Sequence, residues 1–297
     1  MYIHNYAAFI GTPVEDMKYY KQEVGRYTRL GFRRANRFVL LAMAGAARCI
    51  HTMKIDTRTA VYLTTENGNL GDTEAVLDQI FHKREYPMPY NFINTMSNTA
   101  SFYVAQSLAL SGRNITLSSR QLSFERGLEL LRCDMRRGVI DAALIGGVDE
   151  AVFSRQSFER CYPYSYDTYT MVEGSCWLLL HNSSQGARGR LQALESFVGL
   201  DAVLTWLNAR PSADSLFLAF GILMDPAQRQ AVEACLSHAT VLDHIAEQGY
   251  FHSATAAAVT LFMQRCGDLD HGATLVHVNK DARGTFVVMV VESLKKE

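Results

Sequence analysis

Residues Asn114–Gly147 read NITLSSRQLSFERGLELLRCDMRRGVIDAALIGG. Ile115–Ser118 is a short β-type run, Gln121–Arg137 a helix with Leu122, Leu128 and Leu131 set among polar neighbours, and Asp141–Ile145 a second strand. A strand that turns through a tight corner into a helix lifts the first helical residue above the positive end of the helix dipole. A nucleophile at such an elbow is Cys or Ser. The residue here is Gln121.

The same alternation runs along the rest of the chain. Phe38–His51 is a buried, Ala- and Leu-rich helix and Ala60–Thr65 a strand. Asp72 is placed to cap a helix Thr73–His82, and Ser97 one that runs to Ala109. Cys176–His181 and Arg190–Phe197 read as strands, Val203–Ala209 as a short helix, Ser215–Phe220 as a strand and Pro226–His238 as a helix. His252–Cys266 closes the helices, and Ala273–Asn279 and Thr285–Glu292 the strands. Strands separated by helices predict an α/β fold with largely parallel sheets. The polar loop Asn182–Arg190 divides the series into two similar βαβ halves, about 1–182 and 190–297, of one domain spanning 1–297.

The 297 residues are 48% hydrophobic, enough for a large core, and a formal net charge of −1 argues against a nucleic-acid surface. Basic residues still gather at Arg33, Arg34 and Arg37 and at Arg132, Arg136 and Arg137. Each group is either a solvated helix face or a dock for an acidic carrier protein or a phosphorylated head group. The cysteines at 49, 133, 161, 176, 235 and 266 follow neither a disulfide framework nor a metal-ligand spacing, so a reducing cytoplasm, no metal and no cofactor are expected. No signal peptide and no membrane-spanning run is read.

Taken together, the motifs resemble the ketosynthase family of the thiolase fold. Pro89–Ser101 (PYNFINTMSNTAS) is similar to the segment that lines the family's acyl tunnel, and Gly112–Ser123 to its elbow. Gly138–Glu150 (GVIDAALIGGVDE) follows the signature G-x-x-D-x-x-x-x-G-G-x-[DE] and is the most specific match. Glu173–Gly174 ahead of a strand, HSATAA at His252–Ala257, and Asn279 followed by Gly284 keep the family's order. The resemblance implies a layered α/β/α/β/α architecture.

It also implies where chemistry has been lost. Gln121 stands in the place of the nucleophilic Cys, and Phe220 in that of the first histidine. A phenyl ring neither donates nor accepts a proton. Val241–Phe251 holds no Lys for the family's supporting amine, and NKDARG at 279–284 lacks the oxyanion-turn Phe. His252 alone keeps its family type, though a lone His opening an Ala-rich helix is more often a packed residue. Glu173 is read as a structural acid, and Asp225 before Pro226 as a helix cap.

Such a chain is expected to be a chain-length factor: an inactive subunit paired with an active β-ketoacyl synthase in polyketide or aryl polyene synthesis, visited by an acyl carrier protein. Its short length and contracted Ala219–Pro226 segment favour the aryl polyene branch. The pairing strand would be Asn114, Ile115, Thr116, Leu117 and Ser118, and Tyr90, Asn91, Phe92 and Met96 would face the partner and its acyl tunnel. The alternative is a Gln-type malonyl-carrier decarboxylase, which needs both histidines.

Overall fold

The computed structural model describes residues 1–28, 35–152, 154–211, 213–266 and 272–294. The strands are β1 (Tyr2–Gly11), β2 (Ala60–Thr64), β3 (Asn114–Leu117), β4 (Ala142–Asp149), β5 (Glu173–His181), β6 (Gly189–Val198), β7 (Leu216–Phe220), β8 (Thr240–Val241), β9 (Thr274–Lys280) and β10 (Thr285–Ser293). The helices are α1 (Met17–Gly25), α2 (Arg37–Ile50), α3 (Leu70–Phe81), α4 (Pro89–Asn94), α5 (Asn98–Ser107), α6 (Ser123–Arg136), α7 (Arg155–Cys161), α8 (Leu200–Asn208), α9 (Pro226–Cys235), α10 (His244–Gln248) and α11 (Ala254–Cys266).

The sheet order is β3-β2-β4-β5-β1-β6-β10-β9-β7-β8. Read outward from the centre, β1 through β5 and β6 through β10 are arranged alike. In each half the second strand is parallel to the third and fourth, and the fifth is antiparallel to the fourth and first. The sheet is therefore mixed, not largely parallel. In the second half the antiparallel step follows from the tight turn at 281–284, which leaves no room for a crossover helix. Within the sheet, the strand pairing that joins the halves among the described residues is Tyr2 with Arg190 and Ile3 with Gly189.

Strand alternation sorts the core into layers. Tyr62, Ile145, Cys176 and Leu178 of the first half and Leu275, Val287 and Met289 of the second pack into one central cluster with α6 and α11. The intervening residues Val61, Leu63, Leu144 and Trp177 face α2 instead, and Val276, Val278, Val288 and Val290 face α8 and α9. This is the layered α/β/α/β/α arrangement, with α6 and α11 as the middle layer. Helix α2 buries 12 of its 14 residues, which explains why its sequence is apolar all round.

Several local expectations change. β1 was not anticipated: its buried positions Ile3, Ala7 and Phe9 are interrupted by the register shift between Ile3 and Asn5, which blurs the two-residue period. Asn69, not Asp72, occupies the cap position of α3, and the Asp72 carboxylate instead accepts from the Asn36 side-chain amide. Ser97 precedes α5 but its own backbone is helical, so its hydroxyl makes no cap bond. Asp225 does cap α9, in a capping box with Gln228 and with Pro226 at the first turn.

Candidate functional site

β3 leads into the elbow through Ser119, and Arg120 adopts φ +50°, a left-handed conformation that costs a side chain energy. Gln121 does not open an α-helix: it lies in a 3-10 turn, Arg120–Leu122, and α6 begins at Ser123. The Ser123 hydroxyl closes the corner, donating to the Arg120 carbonyl at 2.6 Å and accepting from the Ser119 amide at 2.8 Å. Gln121 is partly buried.

The carboxyl ends of β2, β4, β7 and β9 converge on this corner, the position at which open α/β sheets form their crevices. Glu66, just past β2, accepts from Gln121 Nε2 at 3.0 Å and from the Tyr162 hydroxyl at 3.2 Å. Asp149, at the end of β4, accepts from Thr65 Oγ1 at 2.7 Å, from the backbone amides of Glu66 and Asn67, and from Ser253 Oγ. Asn279 of β9 donates to the Gln121 carbonyl at 2.9 Å and to Glu125 Oε1 at 2.7 Å, where Thr255 also donates.

Burial governs the electrostatics. Desolvation, reinforced by the Asp149 carboxylate, pushes Glu66 up to about 8. Asp149 and Glu125 are raised by the same loss of solvent. His252 is buried beside the Tyr162 and Tyr250 rings, and desolvation lowers its pKa to about 3, so it is neutral at pH 7. At neutral pH the corner therefore holds a protonated carboxyl, a primary amide and an uncharged imidazole. None of these is a thiol or hydroxyl at the elbow.

Phe220 ends β7 and is buried, with the Arg229 guanidinium 5.6 Å from its ring centre. It is brought to the site through its neighbour: a Cβ on Gly221 would lie 1.8 Å from Asn279 Oδ1. Glu173 stands apart, bonded to the Tyr20 hydroxyl and 4.0 Å from Arg37. Arg37 is consequently not a surface dock: it also donates to the Val14 carbonyl and stacks on Tyr20. Arg33 and Arg34 lie outside the described residues.

Tyr90, Asn91 and Phe92 are on α4, which buries none of its residues, and Met96 is in the turn after it. The side chains of Tyr90, Phe92, Ile93 and Met96 are 45–60% exposed. Isolated exposed apolar residues are ordinary, but Met88 at the start of α4, Phe81 at the end of α3 and Phe102 on α5 are exposed as well. β3, with Asn114 to Leu117, is an edge strand paired only with β2 among the described residues, and Ser118 follows it.

Sequence reasoning missed Glu66, Tyr162 and the role of Glu125. A charged residue directly after a buried strand, in TTENGN, was the available signal for Glu66. Glu125 is buried under Asn279 and Thr255, while Glu129, one turn on, pairs with Arg126. No membrane-spanning helix and no cluster of three or more potential metal ligands is found among the described residues.

The sequence family "Beta-ketoacyl synthase, N-terminal domain" matches residues 5–162. Among solved structures, "The ishigamide ketosynthase/chain length factor" superposes with a TM-score of 0.73 at 16% identity, over 99% of both chains. "AntDE:AntF (apo): type II PKS acyl-carrier protein in complex with its ketosynthase bound to the hexaketide" gives 0.70 at 11% identity, also over 99% of each. "PfaC Keto synthase-Chain length factor" gives 0.73 at 12% identity, over 99% of this chain and 43% of that one. At these identities the likeness shows the thiolase-type ketosynthase fold. No curated protein sequence matches the chain.

Proposed function

The chain belongs to the β-ketoacyl synthase family, and from that premise we propose that it is a non-catalytic chain-length factor. In this reading it pairs with an active ketosynthase and shapes that partner's acyl tunnel in polyketide or aryl polyene synthesis. The observation that carries the reading is Gln121 at the elbow with its amide bonded to Glu66. Loss of a covalent nucleophile costs on the order of a million-fold in turnover. Loss of an acid/base group costs roughly a hundred- to ten-thousand-fold, and Phe220 supplies none.

The exposed face formed by Tyr90, Asn91, Phe92 and Met96 supports a role toward a partner. So does the unpaired edge of Asn114, Ile115, Thr116, Leu117 and Ser118, along which a ketosynthase strand would add antiparallel and complete one sheet through two subunits. Residues 1–297 act in this reading as one two-halved, cytoplasmic unit that an acyl carrier protein visits in the complex.

Decarboxylation by Gln121 is less well supported. A Gln assisting that reaction would need its N–H directed at the thioester oxygen, and one of its N–H groups is committed to Glu66. Co-expression with an active ketosynthase tests the proposal. The chain should co-purify with it as a 1:1 complex and alter its product length; a monomeric chain beside an unaltered ketosynthase would sink it.

A further inference from the structure

The arginine cluster singled out in the sequence is resolved by the fold into unequal members. Arg132 and Arg136, one turn apart on α6, line a groove of about 350 Å³ that Met1, Met135, Asn182, Leu191, Gln192 and Ala193 complete. Arg137 does not line it. Neither does any Asp or Glu.

The nearby acids are held by other partners or stand at the outer limit of ion pairing. Glu292 is held by Arg190 at 2.7 Å and by Gln192 at 2.9 Å. Glu195 is 4.0 Å from Arg132, whose other nitrogen donates to the Leu194 carbonyl at 3.2 Å. Arg136 makes no ion pair among the described residues. Two like charges at i and i+4 repel, so this arrangement costs stability unless an anion lies between them.

The groove's other walls strengthen the field. Buried Met135 and Ala193 and half-buried Leu191 form an apolar part of its lining, against which a charge is screened less than in open water. The Met1 amino group is held below its ordinary pKa, first by burial and then by Arg136, Arg190 and Arg132 in that order. A C-terminal arginine also complements the helix dipole, but Arg137 can serve that purpose without facing the groove.

We infer that this groove, between the C-terminal turns of α6 and the start of β6, binds a small phosphate-bearing molecule. Arg132 and Arg136 would grip its phosphate, the Asn182 side chain would sit at the rim, and the apolar part of the lining would take the rest of the ligand. The site is separate from the elbow: the 14 residues of α6, at about 1.5 Å each, put the groove at the opposite end of the helix. It stands independently of the chain-length-factor reading. The choice of a small molecule rests on concavity, since a carrier-protein helix would dock on an open face rather than in a groove of this size.

Isothermal titration with inorganic phosphate and with AMP, ionic strength balanced by NaCl, tests the inference on the full chain, or on its complex if that is the form that purifies. Saturable binding is expected, weakened about tenfold or more by Arg136→Ala and by Arg132→Ala, and changed less than about twofold by Arg137→Ala. AMP should bind more tightly than phosphate if the apolar part of the lining contributes. Arg136 is exposed, so its variant should unfold at an unchanged temperature, which separates lost binding from lost structure. The inference fails if neither probe saturates, or if Arg137→Ala weakens binding as much as Arg136→Ala. It also fails if an acidic carrier protein binds through Arg136 and phosphate does not displace it.

Discussion

Gln121 and Glu66 form one partly buried unit: the amide nitrogen of Gln121 donates to Glu66 Oε1 across 3.0 Å, and the Tyr162 hydroxyl reaches the same oxygen across 3.2 Å. The remaining oxygen of each residue, Glu66 Oε2 and Gln121 Oε1, is buried with no donor among the described residues. A protonated Glu66 lowers the cost of that burial because it carries no charge. The elbow is thus closed by a neutral amide–acid pair.

That pair makes stability depend on pH. Glu66 is raised to about 8 by burial and by Asp149, so the folded state keeps a proton that the unfolded chain releases near 4.5. Its contribution is complete below about 4.5 and is lost as pH rises through 8. Glu66→Gln keeps the neutral shape and removes the titration. Urea unfolding should show the variant gaining on the parent between pH 5 and pH 8.5, by about 1–3 kcal/mol once partial solvent screening is allowed for. A gap that stays constant with pH would rule out a titrating Glu66.

Restoring the nucleophile alone should not restore chemistry. A Gln121→Cys thiol would sit beside the Glu66 carboxyl with Phe220 where a base is needed, so the thiolate is disfavoured. Acyl transfer from an acyl thioester, followed by intact-protein mass spectrometry, should be at least about a hundredfold slower than on an active ketosynthase. Adding Phe220→His should raise it. Stoichiometric acylation of the single variant within minutes would show that the site needs no base.

What could be read from the chain and what could not divides along physical lines. The βαβ unit around Gln121 was legible because strand, corner and helix are contiguous, and the strongly apolar α2 because it is buried on every side. β1 was not, because a register shift breaks its alternation and its partners β5 and β6 lie far along the chain. Glu66, Glu125 and Tyr162 escaped for a related reason. Their roles come from residues 55, 154 and 96 positions away in the sequence, and only Glu66 carries a local mark, its charge directly after a buried strand.

The signature glycines give a structural test. Gly146 lies on β4 against Trp177 of the neighbouring β5, and a Cβ there would stand 2.2 Å from the indole ring. Trp177 is fully buried and cannot swing away. Gly146→Ala should destabilise by roughly 2–4 kcal/mol, a little beyond usual overpacking because the ring is rigid. Thermal unfolding reads this directly, and a shift below about 2 °C would mean that the strands can part at little cost.

The last prediction concerns the exposed face of α4. Phe92 is 60% exposed and Met96 47%, so truncating either should barely change the stability of the isolated chain, by less than about 0.5 kcal/mol. If these side chains meet a ketosynthase, the cost appears on association instead. Phe92→Asp should weaken co-purification by about tenfold or more, since a buried apolar contact is replaced by an unpaired charge. Phe92→Ala and Tyr90→Ala should leave the complex assembled but lengthen its products, because a smaller side chain delays the overpacking that stops growth. Product mass spectra from the co-expressed pair decide the matter. A distribution unchanged by both alanine substitutions removes α4 from the tunnel, and unimpaired co-purification of the Phe92→Asp chain removes it from the interface.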